Sequence, residues 1–283
     1  MLYFHSSKIA SLTKYNKYVS NDEYVKLFID ILYKKKEELK KYDEEHNNFK
    51  VLSNEEHLDT IILNNINEND KNEIKKLINL SVENNEDLHN KTSELKLVIH
   101  QNKDICVETK EKMTKQLNSK INCNYGINTE NKAITIYEAE TNNKVYNNNF
   151  KLYVHKYTNF AICGKTDGFV KINDKEYIYE TKNRKSRFFN TIPIYEKIQL
   201  LAYTVLCKNN NIIFTQCIND KINIKQLDNY IDDDLWDNII LKLKQYALLI
   251  NKLQENNDFR SSFITLSNDQ QKFEFLQEYL EWL

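Results

Sequence analysis

The stretch that decides the fold reads Phe160-Ala161-Ile162-Cys163-Gly164-Lys165-Thr166-Asp167-Gly168-Phe169-Val170-Lys171-Ile172, then Asn173-Asp174, then Lys175-Glu176-Tyr177-Ile178-Tyr179-Glu180-Thr181-Lys182. Its aromatic and β-branched residues predict strands over Phe160–Ile172 and Glu176–Lys182, joined by a turn at Asn173-Asp174. On the second strand Glu180 and Lys182 are two apart and share a face, while Thr181 faces away and leaves its carbonyl available to a cation. Asp167 precedes them in a glycine-flanked bend. Two carboxylates and a lysine on neighbouring strands are what phosphodiester hydrolysis with a divalent metal requires.

The tripeptide Glu-x-Lys alone decides nothing, because it also begins at Glu38, Glu73, Glu94, Glu108 and Glu130. Those five lie in helix-like or charge-dense stretches, and only Glu180 ends a strand. Around this centre the chain reads as helix, three strands, helix, two strands, helix. Asn128-Thr129 caps a helix with Glu130, Ala133, Ile134 and Tyr137 at helical spacing, so Glu130 points with the apolar face. A strand over Lys151–Tyr157 follows. Pro193 suits the first turn of a helix through Ile194, Ile198, Leu201 and Val205. On that helix Gln199 and Tyr203 sit at i and i+4, placed to hold a phosphate or brace the lysine. Strands near Asn211–Ile218 and Ile222–Leu227 precede helices over Asp233–Leu253 and Asp269–Leu283.

Towards the N-terminus, Asn21-Asp22 caps a helix from Glu23 to Asp43, with Lys34–Glu45 as its solvated end. Residues Asn54–Asn118 read as a polar helical insertion. The expected class is α/β of the α+β kind, a mixed sheet flanked by helices. An N-terminal helical region (1–118) would precede a core with C-terminal helices (119–283).

Composition narrows the chemistry. The 283 residues are 41% hydrophobic, enough for a sizeable core, and a net charge of -1 confines any nucleic-acid surface to a local patch. There are 40 Asn and 37 Lys but three Gly, one Pro and three Arg, so each rare residue points to a local need. Gly126, Gly164, Gly168, Pro193, Arg184 and Arg187 all fall between 126 and 193. Lys182, Arg184, Lys185 and Arg187, followed by Phe188-Phe189, suit phosphate clamping and base stacking. No apolar run approaches the roughly 18 residues of a membrane span, and a soluble, intracellular protein is expected. Five cysteines without C-x-x-C spacing argue against a disulfide framework, zinc ribbon or iron–sulfur cluster. The six histidines lack H-x-H or H-E-x-x-H spacing.

The order Gly126-x-x-x-Glu130, Asp167-Gly168, Glu180-x-Lys182 and Gln199-x-x-x-Tyr203 resembles the PD-(D/E)xK nucleases, and within them the lambda-exonuclease or YqaJ viral recombinase type. Ile192-Pro193-x-Tyr195-Glu196-x-x-Gln199 is similar to versions carried by large DNA viruses, and His5-Ser6-Ser7-Lys8-Ile9 more loosely to the family's N-terminal serine. The resemblance implies a restriction-endonuclease-like core in which Asp167, Glu180, Glu130 and the Thr181 carbonyl hold one or two Mg2+ or Mn2+ ions, with no iron–sulfur cluster. Lys182 would orient and acidify the attacking water, leaving a 5′-phosphate. Ser7 and Gln199 would read the end phosphate, and Lys165, Arg184, Lys185, Arg187 and Tyr203 would bind DNA. Thr166 stands where the motif has Pro, and Lys165 where the lambda type has a small hydroxyl residue. The implied partners are linear duplex DNA with a free end, a single-strand annealing protein and further copies of the chain, without a membrane. The implied location is the cytoplasm or nucleus of an infected cell. An endonuclease or resolvase of the same superfamily and an inactive nucleic-acid-binding scaffold are the competing readings.

Overall fold

The computed structural model describes residues 1–49, 66, 68–79, 82, 84–102, 105–146 and 151–281. The expected helical pattern at 54–65 and the end of the last predicted helix at 282–283 lie outside these residues. The fold is α+β, with two mixed sheets and, among the described residues, ten helices.

The hairpin at the centre forms as its sequence dictates. Strand β5 (Gly168–Ile172) pairs antiparallel with β6 (Lys175–Asn183). Asn173 and Asp174 both adopt positive φ, 47° and 64°, as a type I′ turn needs. β6 continues parallel to β7 (Ile212–Ile218), which pairs antiparallel with β8 (Lys221–Leu227), and a short β2 (Val145–Tyr146) closes the far edge in the order β2-β5-β6-β7-β8.

The strand expected over Phe160–Ile172 is two strands in two sheets. β4 (Phe160–Gly164) lies between β1 (Leu2–His5), parallel to it, and β3 (Tyr153–Lys156), antiparallel to it. The chain changes sheet across Lys165–Asp167. Gly164 is needed at this crossing, because a Cβ there would collide with the Ser6 hydroxyl at the start of α1 (Ser6–Leu12).

The N-terminal part belongs to the main core. Phe4, Ile9 and Leu12, with Tyr24 and Phe28 of α2 (Asn21–Leu32), are fully buried in one cluster with Phe214 and Tyr246. That cluster ties Phe4–Phe28 of the N-terminal helical region to the core that holds Phe214 and Tyr246. The helix expected from Glu23 to Asp43 is broken at Lys35, which has φ 58°, and resumes as α3 (Glu37–His46). Ser20 and Glu23 form the capping box of α2, so the cap lies one residue before Asn21. The Lys34–Glu45 run is not wholly solvated either. Asp43 is 0% exposed and accepts from Tyr33 Oη at 2.8 Å and Arg260 Nε at 2.6 Å. A buried charge of that kind requires its partner.

Helices α4 (Glu68–Asn79) and α5 (Asn85–Gln101) pack on the first half of α6 (Val107–Thr141). At 1.5 Å per residue α6 is about 52 Å long. It runs straight through Asn128-Thr129, where a new helix was expected. Its apolar residues explain the misreading: Met113, Leu117, Ile121 and Tyr125 enter the cluster with α4 and α5, whereas Ile134 and Tyr137 pack on β5 and β6. The buried positions Met113, Leu117, Ile121, Tyr125, Thr129, Ala133 and Tyr137 nonetheless recur every fourth residue, and at 3.6 residues per turn such a row drifts by about 40° a step, so the stripe winds from one side of the helix to the other without a break. Thr129 Oγ1 donates back to the Tyr125 carbonyl at 2.6 Å instead of capping, and a Cβ at Gly126 would meet nothing within 4 Å. A boundary at 118 would cut this helix.

Helix α7 (Ile194–Cys207) crosses between β6 and β7, and α8 (Asp233–Glu255), α9 (Asn257–Ile264) and α10 (Asp269–Tyr279) complete the chain. Among the described residues no helix is long and apolar enough to cross a membrane.

Candidate active site

β6 outlasts its neighbour on one side. Gly168 pairs with Tyr179, so Glu180–Asn183 keep β7 as a partner but extend past the start of β5. Asp167, the residue before β5, fills part of that gap by accepting from the Thr181 N–H at 2.8 Å. This bond places its carboxylate beside Glu180. The sheet change at Lys165–Asp167 therefore builds the site.

Glu180 is 2% exposed, and its two oxygens differ. Oε1 accepts from Lys182 Nζ at 2.6 Å and from Gln199 Nε2 at 3.2 Å, while the buried Oε2 meets no N–H donor, and a proton held by one acid of the pair is shared between Glu180 and Asp167. Burial and the neighbouring Asp167 push the Glu180 carboxyl well above the usual carboxylate range, against the pull of Lys182. Burial raises Asp167 too, with Glu130 adding to it and Lys182 opposing. Glu130, half-buried on α6, is raised by burial and then by the charge of Glu180. Burial opposes the Lys182 ammonium, but Glu180 and Asp167 outweigh it and raise its pKa. Lys182 is thus a fixed cation facing a crowded acidic pair.

Gln199 is saturated within the site. Its Oε1 accepts from Lys182 at 3.0 Å, and its Nε2 donates to Tyr203 Oη at 2.8 Å as well as to Glu180. Of its two expected roles it shows the bracing one. Tyr203 is 3% exposed and hydrogen-bonds Ser6, so it supports Gln199 and is no surface contact for DNA. Ser6, not Ser7, is the serine that reaches this cluster; Ser7 is exposed. The alternation of β1 turns Ser6 inward, which the hydroxyl-rich sequence alone could not decide.

Arg184 also departs from expectation. It is 9% exposed, its fork donates to Glu196 Oε1 and Oε2 at 2.6 and 2.7 Å, and its Nε donates to Gln216 Oε1 at 2.8 Å. Phe189 lies 4.3 Å from the guanidinium, and its N–H and carbonyl both bond the buried Gln216. Arg184 anchors the loop and is not available to a phosphate. Of the two residues that carry that anchor, Gln216 has no motif spacing, and Glu196 stands in the pattern Tyr195-Glu196-x-x-Gln199, which by itself says nothing of a partner for Arg184. Lys165, Lys185 and Arg187 lie on the surface. Thr181 is buried on the opposite face of β6 from Glu180 and Lys182.

Among the described residues no three His, Cys, Asp or Glu side chains gather into a complete cation site. The donors are the Asp167–Glu180 pair, with Glu130 within electrostatic range. A magnesium-type ion fits such a set, since it uses one or two carboxylates and fills its remaining positions with water and substrate oxygens. Its charge would offset the burial that raises both acids, and with it the repulsion of Glu180 by Asp167 and of Asp167 by Glu130.

The same shifts predict how stability responds to pH. A carboxyl whose pKa is raised by folding stabilises the fold below its ordinary range and loses that contribution as pH rises through the raised value. Without divalent cation the melting temperature should therefore fall from about pH 5 through neutrality, in proportion to these acids' share. Added Mg2+ or Mn2+ should raise it more at about pH 8 than at about pH 5, where protons compete for the same oxygens. Differential scanning fluorimetry with and without the ions checks this, and an increment independent of pH would place the cation elsewhere.

No family model matches the chain, and no curated protein matches it. A solved structure, the crystal structure of SSO0001, is similar at 16% identity over 64% of this chain and 83% of that chain, with a TM-score of 0.35. A likeness of that size carries no argument about fold or activity.

Proposed function

We propose that the chain is a metal-dependent deoxyribonuclease, an exonuclease that starts at a DNA end and leaves 5′-phosphorylated products. The observation that carries this reading is the pairing of half-buried Asp167 with buried Glu180, with Lys182 Nζ 2.6 Å from Glu180. Asp167, Glu180, Glu130 and the Thr181 carbonyl are the groups that would hold one or two Mg2+ or Mn2+ ions. The bound ion supplies neutralising charge at the scissile phosphate and lowers the pKa of water.

The rest is done by the chain itself. Lys182, kept protonated by the acids, donates to the attacking water and stabilises the negative charge that grows on it as its proton leaves. Gln199, held by Tyr203 and Ser6, fixes the ammonium within about one hydrogen-bond length of that position. The water gives its proton to solvent as its oxygen bonds to phosphorus, the bond to the 3′ oxygen breaks, that oxygen takes up a proton from solvent to become the 3′-hydroxyl, and the phosphate stays on the 5′ side. Two or three immobile groups of this kind suit a reaction that needs little covalent participation from the enzyme.

End dependence rests on the resemblance and on Lys165, which lies exposed two residues before Asp167 and supplies positive charge at the mouth of the site. The four described cysteines are thiols, in keeping with work inside a cell, and we place that work on viral DNA in an infected cell's cytoplasm or nucleus. A single-strand annealing protein would take up the strand left behind. With magnesium, linear duplex should be consumed while covalently closed circles of the same sequence persist. Gel analysis of both decides it: nicking of the circle at a comparable rate replaces the exonuclease by an endonuclease or resolvase.

A further inference from the structure

Beside the catalytic strand the loop after β6 and the loop between α1 and α2 enclose a cleft of about 520 Å3. Lys17, Tyr18, Arg187, Phe188, Ile194 and Tyr195 are among its lining residues. We propose that this cleft binds unpaired bases of a DNA strand, which makes a single-stranded or frayed end the form that enters the site. The inference deepens the nuclease reading and rests on it for the fate of the strand, though not for the binding.

The lining has the two components that single-strand binding uses, rings and cations. Tyr18 is 71% exposed and meets Tyr195 edge-on, with ring centroids 6.0 Å apart. An exposed ring held only by its edge leaves a face for a base to stack on, and any base serves because each has a π face. Ile194 extends the apolar floor at 39% exposure. Lys17 and Arg187 are exposed at the rim, in a chain whose net charge is -1, so the patch is locally basic where the molecule is not. Charge of that sign favours a polyanion over an apolar protein segment.

The cleft is also preformed and correctly placed. Gln216 holds Phe189 through both its N–H and its carbonyl, and Arg184 stacks on the same ring, so the loop is held in shape by its own bonds. Tyr195 and Gln199 are one turn apart on α7, and Gln199 bonds Lys182. A base stacked in the cleft would therefore lie one turn of α7 from Gln199, the residue that braces the catalytic lysine. Bases inside an intact duplex are already stacked and offer no free face, hence the selection for unpaired nucleotides.

The test is fluorescence anisotropy in EDTA, with a fluorescein-labelled oligothymidine and an abasic strand of equal length. Wild-type protein should bind oligothymidine at least about 5-fold more tightly than the abasic strand, because stacking is worth on the order of 1–3 kcal/mol per base. Tyr18→Ala should weaken oligothymidine binding by about 5- to 100-fold and leave abasic binding unchanged. Arg187→Ala should weaken both. Since Tyr18 is a surface residue, its variant should melt as wild type does, and melting curves verify that. Equal binding of the two strands by wild type, or a Tyr18→Ala variant that keeps the preference, overturns the proposal. Base-dependent binding without hydrolysis would keep the cleft and remove the nuclease reading, whereas hydrolysis without base-dependent binding would remove the cleft alone.

Discussion

Glu180→Gln is expected to lower magnesium-dependent hydrolysis by at least about a thousandfold while making the metal-free protein more stable at neutral pH. Both effects come from one carboxylate. It is buried, one oxygen bonded to Lys182 and Gln199 and the carboxyl paired with Asp167, and its charge is raised in energy by burial and by Asp167. The amide keeps shape and volume but removes the repulsion, so the fold gains. It also removes the charge that would anchor the ion, so several kcal/mol of transition-state stabilisation go with it. Steady-state assays and thermal melts in EDTA read the two effects separately. A variant that is inactive because it is unfolded would melt lower, not higher, and a variant that is active and more stable would show that Glu180 is a structural burden without a catalytic use.

The second large effect is expected at Arg184. Truncation to Ala leaves Glu196, 4% exposed, as a buried charge without its bidentate partner, and should destabilise the protein by about 3–5 kcal/mol. Urea denaturation measures this. Replacing Arg184 and Glu196 together by Met should recover most of the loss, because no charge then stays buried alone. In DNA binding the contrast is with Arg187, which is exposed: Arg187→Ala should reduce the salt-dependence slope by about 0.9 for each phosphate that its guanidinium neutralises. A stable Arg184→Ala protein with a flattened salt slope would return Arg184 to the DNA surface.

These two residues show how far the sequence could be read. Scarcity of arginine in a lysine-rich chain did mark positions where a planar fork is needed, since Arg184 grips Glu196 and Arg260 grips Asp43. It did not say whether the fork meets a phosphate or a buried carboxylate, because both present the same pair of oxygens. The β5–β6 hairpin, Glu180 and Lys182 on one face, and Gln199 behind them were legible, since each follows from a local period or turn chemistry. The break between β4 and β5 was not, because a continuous apolar run looks alike whether it stays in one sheet or changes to another. Nor was the continuity of α6: its buried row keeps a four-residue spacing from Met113 to Tyr137, but that row winds round the helix into a second cluster, and Asn128-Thr129 in its middle reads locally as a cap. Ser6 and Ser7 differ only in which way β1 delivers them, and that is decided by the pairing of β1 with β4, 158 residues away for His5 and Cys163.

The most direct measurement is hydrolysis of a linear duplex, end-labelled at its 5′ phosphate, by wild-type protein, Lys182→Ala and Asp167→Asn, each with magnesium and with EDTA. Wild type is expected to release 5′-phosphorylated nucleotides with magnesium only. Asp167→Asn should lose both activity and the magnesium-induced rise in melting temperature, whereas Lys182→Ala should lose activity but keep that rise. Release of product in EDTA, or intact DNA with wild type under every divalent cation, would contradict a metal-dependent nuclease.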